Sequence, residues 1–156
     1  MSMPSVLFVC LGNICRSPLA EAALRDAAGR AGVQVLIDSA GTGDWHIGHA
    51  PDRRAQATAA RAGIDISQLR ARQVAVEDFH RFDFIIAMDG QNLADLRRIA
   101  PADGRARLSL LLDHVPGREG QSVADPYFGE AGGFDITWRD VTAGAHALLQ
   151  RIIGQE

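Results

Sequence analysis

The chain has 156 residues, of which 47% are hydrophobic and 22% are charged, and its formal net charge is −3. This composition is typical of a globular protein that buries its own core, so we expect a single domain spanning residues 1–156. The sequence is mildly acidic and all 16 of its basic residues are arginine. It lacks the basic excess typical of nucleic-acid-binding proteins, so we expect no nucleic acid partner.

The number of cysteines and the lengths of the apolar runs indicate in which compartment the protein resides and whether it binds a metal. Cys10 and Cys15 are the two cysteines, which excludes a disulfide framework and leaves too few thiols for a zinc site. The histidines also lack the spacing of metal ligands; they are His46, His49, His80, His114 and His146. No signal-like segment precedes Val6, and no apolar run approaches the roughly 20 residues of a membrane span. We therefore expect a cytoplasmic protein without metal, cofactor or membrane contact, as a monomer or with weak self-association.

Strand-like and helix-like segments alternate along the chain. In order, the patterns predict a buried strand at 4–10, a helix at 17–31, a strand at 33–39, a glycine-rich loop at 40–51, a helix at 52–62, a buried strand at 83–88, a helix at 89–99, a short strand at 105–112 and a helix at 134–153. Such alternation predicts an α/β fold of three layers, with an open four-stranded parallel sheet and helices on both faces. Trp138 falls on the apolar stripe of the last helix, so we expect it to pack in the core.

The segment after the first strand carries the chemistry. It reads Cys-Leu-Gly-Asn-Ile-Cys-Arg-Ser at positions 10–17 and ends at a predicted helix N-terminus. Unpaired amides at a helix N-terminus attract anions, and Gly12 and Asn13 suit the sharp turn that points successive amides into one concavity. Arg16 adds a planar fork that can hold two oxygens of a phosphate. We therefore predict a phosphate-binding loop formed by Leu11, Gly12, Asn13, Ile14, Cys15 and Arg16.

The same positive field favours a nucleophilic thiolate at Cys10. Ser17 is predicted to cap the helix and to be able to donate a hydrogen bond to that sulfur. A lone cysteine at the end of a strand is usually inert core. Together with the glycine, asparagine, arginine and serine at these spacings, it indicates phosphate chemistry instead.

With these motifs in view, the whole chain resembles the low-molecular-weight protein tyrosine phosphatases. The resemblance rests on the motif V-C-L-G-N-I-C-R-S-P near the start, on Asp-Ser-Ala-Gly-Thr at 38–42, and on Asp-Pro-Tyr at 125–127. It implies that Cys10 attacks the phosphorus of a protein phosphotyrosine to form a phosphocysteine, and that Arg16 holds the phosphate. Asp125 would act as the general acid and base, a role that a leaving group with a pKa near 10 requires.

The resemblance also implies supporting residues. Asn13, Ser17 and Ser39 would form a hydrogen-bond network that shapes the loop. The aromatic ring of the substrate would lie in a cleft formed by Leu11, Ile14, Trp45, Tyr127 and Phe128. Many relatives carry a histidine where this chain has Leu69, so we expect fewer polar bonds to hold the loop here.

Cys15 has two interpretations that the sequence leaves open. It could trap an oxidised Cys10 as a disulfide, or it could simply be a small side chain that lines the loop.

Three other functions compete with tyrosine phosphatase activity. Thioredoxin-linked arsenate reductases share the loop but need further thiols, and no cysteine follows Cys15. Phosphoarginine phosphatases tend to have threonine at the position of Ile14, where isoleucine suits a flat aromatic ring. A non-catalytic phosphopeptide-binding module would need neither a nucleophile nor an acid.

Overall fold

Four parallel strands form one sheet in the order β2-β1-β3-β4. The computed structural model describes residues 3–127 and 132–154. The strands are β1 at Ser5–Cys10, β2 at Leu36–Gly41, β3 at Phe84–Ala87 and β4 at Arg107–Leu110. The predicted parallel sheet of four strands is therefore confirmed.

Helices cover both faces of this sheet. They are α1 at Arg16–Ala31, α2 at Arg53–Arg61, α3 at Asp78–Arg81, α4 at Gly90–Ile99 and α5 at Gly132–Gly154, with a 3₁₀ helix at Leu111–His114 after β4. Among the described residues, no helix is long and apolar enough to cross a bilayer.

The alternation of side chains along β1 divides the core in two. Val6 and Phe8 face α1, α2 and α5, whereas Leu7 and Val9 face α3 and α4. Every residue of β1 is buried because the strand is covered on both faces. Cys10 continues the Val6–Phe8 face and lies at the carboxyl end of the strand, next to α1.

The order of the strands places Cys10 where ligands usually bind. β1 pairs with β2 on one side and with β3 on the other. The connection from β1 thus leads to the neighbouring strand on one edge of β1, and the next strand in sequence, β3, pairs with its other edge. In open parallel sheets, ligands bind at the carboxyl ends of the strands at such a switch point.

The predicted and observed elements differ mainly at their ends. β2 begins at Leu36 and not at the predicted Val33. Val33 and Val35 pack against the core without joining the sheet. The predicted last strand ends at Leu110 and continues as the 3₁₀ helix. Neither that helix nor α3 was predicted, since four residues are too few to show a helical period. Trp138 packs against the core, as predicted.

Ser17 does not cap α1. The helix begins at Arg16, its N-cap residue is Cys15, and no side chain makes a capping hydrogen bond there. The hydroxyl of Ser17 instead lies beside the sulfur of Cys10. Two other helix starts behave differently: Asp52 caps α2, and Asp89 caps α4 in a reciprocal capping box.

His114 makes the stability of the fold sensitive to acid. Burial lowers the pKa of His114 below its ordinary value of 6.5, Arg151 lowers it further, and Asp113 opposes both. Below pH 6.5 the unfolded chain therefore binds a proton that the folded protein resists, and the free energy of unfolding decreases. We expect His114→Gln to reduce this decrease in urea titrations at a series of pH values. The same change at the exposed His146 should not, and equal pH profiles for the two variants would contradict the prediction.

Candidate active site

The turn at residues 11–15 connects β1 to α1. Backbone amides of neighbouring segments donate hydrogen bonds to carbonyl groups in and beside this turn. The amides of Thr42, Gly43 and Asp52 donate to the carbonyls of Cys10, Leu11 and Ile14 at 2.9, 2.9 and 2.8 Å. Within the described parts of the chain, the amides of residues 11–16 donate to no protein acceptor. Buried amides are almost always paired, so these six are available to an anion at the start of α1.

Asn13 has the left-handed backbone that this sharp turn requires, with φ of 58°. Its side-chain amide donates to the hydroxyls of Ser17 and Ser39, both at 2.9 Å, and its carbonyl oxygen accepts from the amide of Arg72 at 3.0 Å. Ser39 in turn donates to Glu21 at 2.8 Å. The structure thus brings Asn13, Ser17 and Ser39 together, as predicted, and adds two groups that the sequence did not indicate.

Ser17 lies in position to stabilise a negative charge on Cys10. The Oγ of Ser17 is 3.0 Å from the Sγ of Cys10. Because Asn13 donates to this hydroxyl, the proton of Ser17 is free to point at the sulfur, with the carbonyl of Ala40 at 3.4 Å as the longer alternative. Cys10 itself is buried on the floor of a cavity of about 210 Å³.

Leu69 packs against the hydrophobic core instead of bonding to the loop. The backbone amide of Arg72, in the same segment, supplies the bond to Asn13. The smaller number of polar bonds that we expect from Leu69 stays a prediction.

Glu21, which accepts from Ser39, is buried. Burial raises the pKa of its carboxyl against the opposing effects of Arg25 and Ser39.

Arg16 is only 3% exposed and is oriented by bonds to other elements. Its Nη1 donates to the carboxylate of Asp89 at 2.7 Å and to the carbonyl of Val123 at 3.0 Å. These two bonds use both hydrogens of Nη1, so Nε and the hydrogen of Nη2 that is not directed at Asp125 remain for a ligand in the cavity. The sequence placed Asp89 only at the start of a predicted helix, yet it holds Arg16 with one oxygen and caps α4 with the other.

Asp125 lines the same cavity as Cys10, and its side chain is 40% exposed. One carboxylate oxygen accepts from the amide of Tyr127 at 3.0 Å, and the other is 3.5 Å from Nη2 of Arg16. The carboxyl group therefore borders the cavity and remains open to water.

Apolar and aromatic side chains form the walls of this cavity. Leu11, Ile14, Trp45 and Tyr127, all predicted to receive an aromatic ring, line it together. Trp45 is 65% exposed, so a large apolar surface at the entrance is available for contact. Phe128, the fifth predicted cleft residue, lies outside the described residues.

His46 is also part of this wall, one of the two positions that the sequence left open for it beside exposure to solvent. A Cβ on Gly12 would lie 2.9 Å from the His46 ring, so the histidine packs directly on the turn at residues 11–15. His49 is exposed. In the described parts of the chain, no three histidine, cysteine or acidic side chains are grouped as a metal site requires.

Cys15 lines the same cavity but differs from Cys10 in character. Burial raises the pKa of the Cys15 thiol far above its usual range, and the negative charges of Asp52, Cys10 and Asp125 raise it further. Of the two cysteines in the cavity, Cys10 is therefore the one suited to attack a phosphate.

Gly41 allows β2 to approach the loop closely. A Cβ at this position would lie 2.7 Å from the carbonyl oxygen of Leu11 and 3.2 Å from the amide of Asn13, both of them backbone atoms. We expect Gly41→Ala to displace the loop and weaken the binding of inorganic phosphate about tenfold, which is about 1.4 kcal/mol. Calorimetric titration checks this, with Gly29→Ala as control because a Cβ there meets open space. Equal affinities in the two variants would contradict the prediction.

Comparison with known proteins agrees with this geometry. The family model "Low molecular weight phosphotyrosine protein phosphatase" matches residues 5–156. The chain is 43% identical over 152 residues to the low molecular weight protein-tyrosine-phosphatase YfkJ of Bacillus subtilis, with 96% of each chain covered.

Solved structures show the same fold. The crystal structure of YfkJ superposes with a TM-score of 0.93 at 42% identity, covering 100% of this chain and 98% of the other. A Drosophila arginine phosphatase superposes with a TM-score of 0.89 at 33% identity, covering 94% and 96%. Because the family model matches residues 5–156 and the YfkJ protein is 43% identical over 96% of the chain, this protein belongs to the low molecular weight phosphotyrosine protein phosphatase family.

Proposed function

We propose that the protein hydrolyses phosphotyrosine in proteins, and small aryl phosphates, through a phosphocysteine intermediate. The observation that carries this proposal is the position of the Cys10 sulfur. It lies on the floor of a cavity that Arg16, the unpaired loop amides and Asp125 also border. Mere binding of a phosphate would need neither the nucleophile nor the carboxyl group.

In the first step the Cys10 thiolate attacks phosphorus, and the bond from phosphorus to the aryl oxygen breaks. The loop amides and Arg16 hold the three equatorial oxygens, whose charge they stabilise throughout the transfer. Asp125 gives its proton to the departing oxygen, so tyrosine leaves as a neutral phenol.

In the second step the Asp125 carboxylate takes a proton from a water molecule, whose oxygen attacks phosphorus. The phosphorus–sulfur bond breaks and releases inorganic phosphate together with the Cys10 thiolate. Ser17 donates to the sulfur as its charge returns, which makes the thiolate a better leaving group.

The cleft favours an aryl phosphate over phosphoarginine, which is the alternative substrate. Ile14 is 9% exposed and provides an apolar contact where a guanidinium would need polar partners. Trp45 and Tyr127 add flat aromatic surfaces at the entrance. The arsenate reductase alternative needs a thiol relay, and the sequence has no cysteine beyond Cys15.

The test measures release of phosphate from a phosphotyrosine peptide, from the matched phosphoserine peptide and from phosphoarginine, each with and without EDTA. We expect hydrolysis of the phosphotyrosine peptide alone, unchanged by the chelator. Hydrolysis of phosphoarginine in preference would establish the alternative. Binding of the phosphotyrosine peptide without turnover would establish a non-catalytic module.

We further propose that the protein acts in the cytoplasm on phosphotyrosine-containing proteins, as a monomer or with weak self-association. Two free thiols support a reducing compartment.

Cys15 has a proposed redox role. When peroxide oxidises Cys10 to a sulfenic acid, the Cys15 sulfur can attack the oxidised sulfur. A disulfide then forms, and the hydroxide that leaves takes the thiol proton of Cys15 and departs as water. We expect wild-type activity lost to peroxide to return with dithiothreitol and that of Cys15→Ser to return much less. Equal recovery would show that Cys15 only lines the loop.

A further inference from the structure

Arg54 connects the first turn of α2 to the segment that carries Asp125. Its Nε and Nη2 each donate at 3.0 Å to the carboxylate of Asp52, the N-cap of the same helix. Nη2 also donates at 3.0 Å to the backbone carbonyl of Tyr127. The guanidinium lies over the rings of Tyr127 and Phe134, 5.6 and 4.8 Å from their centroids.

The position of Tyr127 in turn determines the orientation of Asp125. The amide of Tyr127 donates to Asp125 Oδ1 at 3.0 Å, so the carboxyl group belongs to a short turn that closes on itself. Upstream, the amide of Val123 bonds to the carbonyl of Met88 at 2.7 Å. Arg54 binds this turn from its downstream side.

The same helix turn also holds the phosphate loop. The backbone amide of Asp52 donates to the carbonyl of Ile14 at 2.8 Å. One end of α2 is therefore bonded to the loop that would hold the phosphate and, through Arg54, to the turn that presents the carboxyl group. The separation between the acid and the phosphate depends on both bonds.

We propose that Arg54 is a positioning residue for the general acid, one that holds the Asp125 turn at a fixed distance from the phosphate loop. This inference rests on the proposed function, because it assigns Arg54 a role only through Asp125. The Arg54 side chain is 43% exposed, so its ion pair contributes little to global stability. Its loss should therefore change catalysis more than folding.

The experiment compares phenyl phosphate, whose leaving group needs a proton, with p-nitrophenyl phosphate, whose leaving group needs it much less. For Arg54→Gln we expect kcat/KM to fall about 10- to 100-fold on phenyl phosphate and by less than about threefold on p-nitrophenyl phosphate. Arg54→Lys keeps the charge but loses the planar fork, so we expect it to show the same pattern. Arg53→Gln removes the same charge from the adjacent exposed position and should leave both rates unchanged.

Two further measurements separate positioning from a general structural effect. In the Asp125→Asn background, Arg54→Gln should change kcat/KM by less than about twofold, because the group it positions is already gone. The affinity for inorganic phosphate and the free energy of unfolding should both stay near the wild-type values. Equal losses on the two substrates, no loss at all, or the full loss repeated in the Asp125→Asn background would overturn the inference.

The Asp125→Asn variant alone distinguishes this inference from the proposed function. If that variant is slow on phenyl phosphate while Arg54→Gln is not, only the role of Arg54 is wrong. If Asp125→Asn itself has no effect, the assignment of the acid is wrong as well.

Discussion

Cys10→Ser is expected to abolish hydrolysis of p-nitrophenyl phosphate, with kcat lowered by about 10⁴-fold or more. The serine hydroxyl is of similar size but does not ionise near neutral pH, and Ser17 cannot supply a base to activate it. Oxygen is also a much poorer leaving group than sulfur in the second step, so a phosphoserine would accumulate if it formed at all.

The same variant should keep its affinity for inorganic phosphate. The loop amides and Arg16 are unchanged, and a neutral hydroxyl replaces a group whose negative charge would repel the anion. We therefore expect calorimetry to show phosphate binding at least as tight as in the wild type. Cys15→Ser is the matched control, since it changes the other thiol of the cavity and should retain turnover. Appreciable turnover by Cys10→Ser would exclude the phosphocysteine mechanism.

Asp125→Asn is expected to lower kcat/KM for the hydrolysis of phenyl phosphate by about 10²- to 10⁴-fold, and kcat/KM for p-nitrophenyl phosphate far less. Asparagine has nearly the same shape and can occupy the same turn, but it has no proton to give to the leaving oxygen. The loss should therefore grow with the pKa of the leaving group, and a plot of log kcat/KM against that pKa should become steeper.

Asp44→Asn is a suitable control for the loss of a negative charge near the cavity. Asp44 is an exposed carboxylate beside Trp45. Its replacement by asparagine should leave the slope of that plot unchanged. Because Asp125 is partly exposed and 3.5 Å from Arg16, its replacement should alter the stability only slightly. A uniform loss over all leaving groups would instead indicate a role in binding.

Local sequence was sufficient for the strands, the long helices and the tight turn after Cys10. β1 and β3 are continuous apolar runs because both of their faces are buried. The glycine and asparagine after Cys10 indicated the tight turn because few residues adopt left-handed backbone, and Asn13 does so. Short elements such as α3 were missed, since they have no period to detect.

The partners of the loop depend on contacts that no local pattern encodes. Asp89 follows β3 and reaches Arg16 from 73 positions away along the chain, which happens because β3 is the neighbour of β1 in the sheet. Glu21 resembles any polar helix residue until α1 packs with that side against β2 and Ser39. The sequence left open whether His46 borders the cavity, because the answer depends on its loop folding back over Gly12.

The sequence by itself determined the chemical character of this protein: a cysteine, a tight turn, an arginine and a helix start within eight consecutive residues. Those features interact locally, so their spacing along the chain is enough to predict them. The tertiary structure alone decided how the arginine is aimed, which groups hold the loop, and that one turn of α2 bonds both the loop and the Asp125 turn. These contacts join residues far apart in the chain, and only the packing of helices on the sheet sets their distances.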